Sequence, residues 1–168
     1  MILAFDSHYF DNKAKTVCLE FEDWSTTSIY KVHTETLENI AQYVSGEFYK
    51  RELPCILSLL SKFDLNSIHA IVIDGFVYLD DAGKFGLGAH LFEKLNKKIP
   101  IIGVTKTNFA TIHQLKKNLY RGESQKPLFI TAIGMNLDEA FNNISAMQGD
   151  FRIPTLLKAL DRFTKQKD

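Results

Sequence analysis

Three carboxylates in this chain of 168 residues stand where a negative charge is costly unless it meets a cation. Asp6 interrupts an apolar run at the start of the chain, Asp74 ends the apolar run 70–73, and Glu52 lies in a stretch predicted to be helical. A carboxylate beside apolar neighbours loses hydration energy, and close carboxylates repel one another unless a cation lies between them. Hard oxygen ligands with room for water select Mg²⁺ or Mn²⁺. The three side chains are therefore candidate metal ligands.

Lys106 adds a positive charge directly after the apolar run 101–105. A lysine at the carboxyl end of a strand can neutralise charge at a scissile phosphate or assist the attacking water. Together with metal ions, it would polarise a phosphodiester and activate water for in-line attack. Taken singly, the two aspartates also fit strand ends or turns, and Glu52 and Lys106 fit solvated positions. The prediction of phosphodiester hydrolysis therefore depends on their joint placement.

Other chemistries have weaker support in the sequence. The five histidines lack metal-site spacing, and no Gly-x-Ser-x-Gly elbow is present. Cys55 lies on an apolar face of a predicted helix, which is more typical of a core residue than of a nucleophile. The stretch 83–88 matches neither the Walker nor the dinucleotide pattern, although its glycines permit close approach to a base or phosphate. Tyr43 could stack on a base or be a half-buried loop aromatic.

Composition excludes several classes of protein. A chain with 45% hydrophobic and 24% charged residues can form a globular core, so dominant disorder is excluded. No apolar run approaches the roughly 20 residues of a membrane helix, and we expect no membrane partner. The start of the chain predicts a strand in place of a signal peptide. With Cys18 and Cys55 expected to be reduced, the predicted location is cytoplasmic.

The formal net charge of zero hides an uneven distribution. Residues 1–83 contain 6 Lys or Arg against 13 Asp or Glu, whereas residues 84–121 contain 8 against Glu93 alone. Such asymmetry favours a polyanionic ligand. The alternative is that Lys94, Lys97 and Lys98 are a solvated helix face.

Hydrophobic periodicity predicts a single domain over residues 1–168, with residues 34–46 irregular. The predicted strands are 2–9, 14–22, 28–33, 69–74, 99–104 and 128–131, and the predicted helices are 47–63, 85–97, 110–119, 137–147 and 154–164. The order favours an α/β fold of the ribonuclease H-like class: a mixed five-stranded sheet, made of a three-stranded meander followed by βαβ units, flanked by helices. A flavodoxin-like sheet with an extra hairpin is the alternative. If the first and fourth strands are neighbours, Asp6 and Asp74 face each other and the next helix can bring Glu52 over them.

Short segments spread over nearly the whole chain resemble, in order, the motifs of the endonuclease V family. They are Phe5-Asp6 with Tyr9, Tyr43–Gly46, Arg51–Pro54, Val72–Gly75, Phe85–His90, Ile102–Lys106, Lys126–Ile130, Leu137–Ala140 and Phe151–Pro154. The resemblance implies a ribonuclease H-like fold and a Mg²⁺-dependent endonuclease, with Mn²⁺ as a possible substitute. It also implies recognition of hypoxanthine, the base of inosine, in DNA or RNA, and a cut one nucleotide beyond that base on its 3′ side.

The resemblance also assigns roles to residues of this chain. Asp6, Glu52 and Asp74 match metal-binding carboxylates, and Lys106 matches an active-site lysine. The residues matching nucleic-acid contacts are the strand-separating wedge Tyr43, Val44, Ser45 and Gly46, and the lining of a flipped-base pocket, Gly75, Phe76, Phe85, Gly86 and Leu87. The expected partners are DNA or RNA, and the expected state is a monomer.

Two departures from the family pattern keep alternatives open. Family members usually read Asp-Gly-His-Gly after the fourth strand, whereas bulky or acidic residues occupy 76–81 in this chain. A Ser-Pro-Gly-His turn usually follows the last strand; Thr131–Met135 offers no ligand there, and Asn136 or Asp138 are possible substitutes. Compared with the family pattern, we also expect no helical segment before the first strand. The alternatives are a nuclease with relaxed base choice, or a catalytically weak nucleic-acid-binding homologue.

Overall fold

The computed structural model describes residues 1–26 and 28–167. Within them the elements are β1 (Ile2–Phe10), β2 (Lys13–Phe21), β3 (Lys31–Glu38), α1 (Tyr49–Leu60), β4 (Ala70–Ile73), α2 (Leu87–Lys94), β5 (Ile101–Thr105), β6 (Lys117–Leu119), β7 (Leu128–Ile133), α3 (Leu137–Ala146) and α4 (Thr155–Lys165). In this part of the chain no helix is long and apolar enough to cross a membrane.

One mixed sheet carries all of these strands in the order β3-β2-β1-β4-β5-β7-β6. The β1–β2 and β2–β3 pairs are antiparallel, as a meander requires, and β1, β4 and β5 are parallel neighbours. The predicted α/β class and the opening meander are confirmed. The described sheet has seven strands, so the predicted count of five is wrong. The connection from β4 to β5 through α2 is a βαβ unit, as predicted. The next connection is not a βαβ unit, because β7 runs antiparallel to β5.

Two local predictions are wrong for identifiable reasons. The third strand covers Lys31–Glu38 instead of 28–33, because this edge strand alternates between exposed and half-buried residues and carries a weak hydrophobic signal. Residues 110–119 do not form the predicted helix. The backbone amides of residues 113–115 bind the Asp81 carboxylate, and Lys117–Leu119 pair with β7 as β6.

Two apolar cores lie on opposite faces of the sheet. The first contains Leu3, Phe5 and the buried sides of α1 and α2, and the second contains Ala4, Val72 and the buried sides of α3 and α4. Successive side chains of a strand point to opposite faces. Residues in phase with Ala4 and Val72 therefore face α4, which packs on β1 and β2.

Candidate active site

The parallel pairing of β1 with β4 brings together Asp6, in the middle of β1, and Asp74, directly after β4. The two strands are parallel neighbours whose last register pair is Phe5 with Ile73, and each aspartate is the next residue along its strand. Asp6 is in phase with Ala4, so its side chain lies on the face of the sheet that α4 covers. The first and fourth strands are thus neighbours in the sheet, which is the condition for the predicted site.

Lys106 lies at the same edge, one residue after β5, and in phase with Val104. Asp6, Asp74 and Lys106 line a small cavity of about 40 Å³ under α4. The fourth charged residue in its lining is Asp161 of α4, which sequence reasoning missed. Its only sequence signal is its place four residues after Leu157, on the edge of the apolar stripe of the closing helix.

Glu52 reaches the two aspartates from the other face of the sheet. It is buried on α1, with 7% of its surface exposed. A cavity of about 230 Å³ is lined by Glu52, Asp6 and Asp74 together with Arg51 and Tyr9. The Arg51 guanidinium lies over the Tyr9 ring, 3.7 Å from its centroid. Asp6 and Asp74 are thus shared between this cavity and the smaller one under α4.

The fold raises the pKa of each of the three predicted metal-binding carboxylates. Burial raises the pKa of Asp6 to about 7, and repulsion from Asp74 adds to the rise. Burial raises the pKa of Glu52 to about 7 as well, while the Tyr9 hydroxyl opposes that rise. The pKa of Asp74 is raised by burial too, although Lys106 holds it down. These shifts measure how strongly the folded chain disfavours negative charge here.

Within residues 1–26 and 28–167, Asp161 is the one carboxylate of the group that forms an ion pair. Its Oδ2 lies 3.0 Å from Nζ of Lys165, one turn further along α4. The negative charge of Asp161 also raises the pKa values of both Asp6 and Asp74, which places it within electrostatic reach of the strand ends.

The side chains do not form a closed metal cage as they are placed. Among residues 1–26 and 28–167, no three His, Cys, Asp or Glu side chains are grouped closely enough to hold an ion. The donors nevertheless fit a hard divalent cation, because they are carboxylate oxygens on which the fold disfavours negative charge. Mg²⁺ keeps several of its waters and binds through one or two carboxylates, so it does not need a preformed cage.

A larger cavity of about 570 Å³ adjoins the strand ends, with Asp74 and Lys106 in its wall. Six of the predicted nucleic-acid contacts line it: Tyr43, Gly46, Gly75, Phe76, Gly86 and Leu87. A Cβ on Gly86 would lie 2.5 Å from the carbonyl oxygen of Phe76, so glycine is needed for this close approach of backbones. The cavity has the size of a ligand pocket.

The remaining three predicted contacts do not line this cavity. Val44 and Ser45 are exposed in the turn between Tyr43 and Gly46, with Val44 51% exposed. Phe85 points elsewhere: its ring meets His90 edge-on at 5.4 Å.

Phe109 completes the cavity wall and was not singled out from the sequence. Its ring lies 6.0 Å from that of Phe76, between centroids. The loop that carries Phe109 is tied to the loop of Phe76 by two contacts: the Asp81 carboxylate accepts three backbone N–H bonds from 113–115, and the Thr111 hydroxyl donates to a carbonyl of residue 79. No local sequence pattern predicts a contact between loops so far apart along the chain.

The two suggested substitutes for the usual residue after the last strand have other roles. Asn136 caps α3, since its side chain accepts a hydrogen bond of 2.7 Å from the N–H of Asp138. Asp138 pairs with Lys117 of β6. Neither lines a described cavity that contains Asp6 or Asp74, whereas Asp161 of α4 lines one.

The sequence model of the endonuclease V family matches residues 1–142. No curated protein matches the chain in sequence. Among solved structures, the catalytic domain of human endonuclease V is 20% identical, with a TM-score of 0.72, and the match covers 98% of this chain and 80% of that one. The enzyme from Bacillus subtilis is 20% identical, with a TM-score of 0.70 and coverage of 97% and 77%.

Endonuclease V of Ciona intestinalis, in complex with a 24mer DNA containing an inosine followed by a ribo-adenosine, has the same fold. It is 18% identical, with a TM-score of 0.75, and the match covers 98% of this chain and 83% of that one. At these identities the structural likeness establishes the fold, and the family model establishes the kinship. The chain therefore belongs to the endonuclease V family, whose members are metal-dependent nucleases.

Proposed function

We propose that this chain is a Mg²⁺-dependent endonuclease that cuts a DNA or RNA strand on the 3′ side of a deaminated adenine, with Mn²⁺ as an alternative ion. One observation carries the proposal: Asp6, Asp74, Glu52 and Asp161, from four separate elements, reach adjoining cavities whose wall also contains Lys106. The raised pKa values of Asp6, Glu52 and Asp74 indicate that negative charge on these carboxylates is unfavourable without a cation. The related structures in which Ciona intestinalis endonuclease V is in complex with inosine-containing DNA support the choice of substrate.

The metal would be held by Asp6, Glu52 and Asp74, with Asp161 as a further carboxylate from α4. When bound, a divalent ion polarises the phosphodiester and lowers the pKa of a bound water. The chain's own residues do the rest. Lys106, beside Asp74 in the wall of the larger cavity, neutralises charge on the scissile phosphate.

The cavity of about 570 Å³ would receive the flipped base. Phe76 and Phe109 present aromatic surface on which a base can stack, and the exposed Tyr43 at the rim would fill the gap that the base leaves in the helix. We infer that β3-β2-β1-β4-β5 forms a ribonuclease H-like core, because a three-stranded meander followed by two parallel strands is the plan of that fold.

A second candidate is a nuclease of the same chemistry with relaxed base choice. Part of the lining of this cavity favours it, since the side chains of Phe48, Phe76, Leu79, Leu87 and Phe109 are apolar and offer no hydrogen bond to a base edge, although Tyr49, Thr105 and Thr107 also line it. Stacking alone distinguishes bases poorly, because every base has an aromatic face.

Cleavage of end-labelled strands tests both candidates. Matched DNA and RNA oligonucleotides with inosine or adenine at one position are incubated with the protein in Mg²⁺, Mn²⁺ or EDTA. We expect a cut one nucleotide 3′ of inosine that requires the metal and is lost in Asp74→Asn. Asp150→Asn, at an exposed aspartate outside the described cavities, should cut like the wild type.

The outcome of this assay distinguishes the candidate functions. Equal cleavage of inosine and adenine strands supports relaxed base choice. Binding of the strands without cleavage in either metal contradicts both nuclease proposals and supports a binding protein.

A further inference from the structure

The backbone of Lys106 lies where the sheet stops supporting it. The last register pair between β5 and β7 joins Thr105 to Phe129. Pro127, which would stand opposite Thr107 in this register, has no N–H group, so the ladder cannot continue to that pair. The carbonyl oxygens of Lys106 and Pro127 lie beyond the last register pair and still need hydrogen-bond donors.

Arg152 supplies both donors from the connection between α3 and α4. Its Nη2 donates to the carbonyl oxygen of Lys106 at 2.6 Å and to that of Pro127 at 2.7 Å. These hydrogen bonds join the two chain segments beyond the last register pair of β5 and β7. The guanidinium takes part in no ion pair within the described residues. Its Nε is buried there without a hydrogen-bond partner. The carbonyls, and not a carboxylate, thus determine where this side chain lies.

The residue after Arg152 lines the small cavity under α4. Ile153 lines that cavity together with Lys106 and Asp161. One short segment thus joins the end of β5 to the start of α4, which brings the fourth carboxylate. A change in how Arg152 holds the end of β5 would move Lys106 relative to the strand-end aspartates.

We propose that Arg152 is a positioning residue for Lys106: by bridging the carbonyls of Lys106 and Pro127, it fixes where the lysine leaves the sheet. The inference rests on the proposed role of Lys106 in cleavage. Misplacing a catalytic group by about 1 Å costs on the order of 100-fold in rate. The effect therefore belongs to kcat, because Arg152 lines none of the described cavities that would hold the substrate.

Arg121 offers a matched control in the same part of the molecule. It also donates only to backbone carbonyls, those of Phe151, Met147 and Gly149. It thus holds the same connection between α3 and α4 without touching Lys106. A general loosening of the connection should appear in variants of either arginine, whereas misplacement of Lys106 should appear only in variants of Arg152.

A double-mutant cycle tests the proposal by measuring single-turnover cleavage of an inosine-containing oligonucleotide in Mg²⁺ or Mn²⁺. We expect Arg152→Gln to lower the rate by about 10–100-fold with KM changed less than about threefold. In the Lys106→Ala background the same change should cost less than about twofold, because the lysine it positions is gone. Arg121→Gln should cost the same small factor in both backgrounds. If Arg152→Gln costs as much with Lys106 absent as present, the proposal is wrong.

Hydrogen–deuterium exchange gives a readout that does not depend on cleavage. We expect Arg152→Gln to raise exchange in peptides covering residues 104–109 while Arg121→Gln leaves them unchanged. Equal exchange in the two variants would overturn the proposal even if the protein cuts no strand. Arg152→Lys keeps the positive charge and a nitrogen donor but loses the planar guanidinium. It should fall between the wild type and Arg152→Gln in both measurements. If Lys106→Ala cuts as fast as the wild type, the proposed role of the lysine fails, while the exchange result still decides what Arg152 holds.

Discussion

Replacing Asp6 by asparagine is expected to stabilise the metal-free protein above neutral pH. The Asp6 carboxyl has an ordinary pKa of 3.8 and a pKa of about 7 in the folded chain, because burial and Asp74 oppose its charge. Between these values the folded state binds more protons than the unfolded state, so the free energy of unfolding falls as pH rises through this window. Asparagine has no proton to release. Its Oδ1 can still accept the hydrogen bond of 2.9 Å that the Ser7 N–H donates to Asp6.

The size of the pKa rise sets the size of the effect. A rise from 3.8 to about 7, at about 1.36 kcal/mol for each pH unit, corresponds to about 4 kcal/mol of unfolding free energy. Glu52 and Asp74 titrate in the same cavity and share part of this energy, so we expect a gain of about 2–4 kcal/mol for the variant. In a domain of this size each kcal/mol shifts Tm by about 2–4 °C, which gives a Tm rise of about 5–15 °C.

Thermal unfolding of both proteins in EDTA measures this gain. The Tm difference should be large at about pH 8, where Asp6 is ionised in both states, and mostly gone at about pH 4.5. Asp11→Asn, at an exposed aspartate in the turn between β1 and β2, is the control and should show no such pH-dependent gain. A Tm difference that is the same at both pH values, or a variant less stable than wild type at the higher pH, would refute the reasoning.

Three further outcomes follow from the site. Millimolar Mg²⁺ should raise the Tm of the wild-type protein but not of Asp74→Asn, because a ligand stabilises only the state that binds it; equal shifts in differential scanning fluorimetry would argue against the metal site. Gly103→Ala should cost about 1–3 kcal/mol in a urea titration, because an added Cβ would overlap the carbonyl oxygen of Gly75 next to Asp74; an unchanged midpoint would contradict this packing. Phe109→Ala should raise KM for an inosine strand by about 5–100-fold with little change in kcat, since stacking contributes about 1–3 kcal/mol per base; steady-state kinetics with a matched Phe151→Ala control, at an exposed phenylalanine outside the described cavities, measures it.

Sequence patterns predicted the strand-end part of the site because each residue carries its own local signal. Asp6 and Asp74 interrupt or end apolar runs, and Lys106 follows one, so their positions relative to the sheet could be read directly. The parallel pairing of β1 with β4 then places the two aspartates side by side. Glu52 had the weakest signal of the four, since a helical glutamate is usually solvated, yet it is buried in the fold.

Other parts of the fold and site carry no such signal. The edge strands β3 and β6 are largely exposed, so their apolar pattern is weak and the predicted sheet was too small. The loop of Phe109 looked helical because its pairing with Asp81 lies outside any local window of sequence. Asp161 resembles an ordinary surface residue of an amphipathic helix until α4 is laid across β1.

The sequence by itself determined which residues face which side of each strand and where the carboxylates leave the sheet, because alternation and apolar run length are local properties. It also determined the family, through short motifs in a fixed order. Tertiary structure alone decided that Asp161 lines a cavity with Asp6 and Asp74, that Phe109 lines the larger cavity, and that Arg152 binds the backbone at the end of β5. These three contacts join segments far apart in the chain, and their energy comes from burial and hydrogen bonding that exist only once the sheet and α4 have packed together.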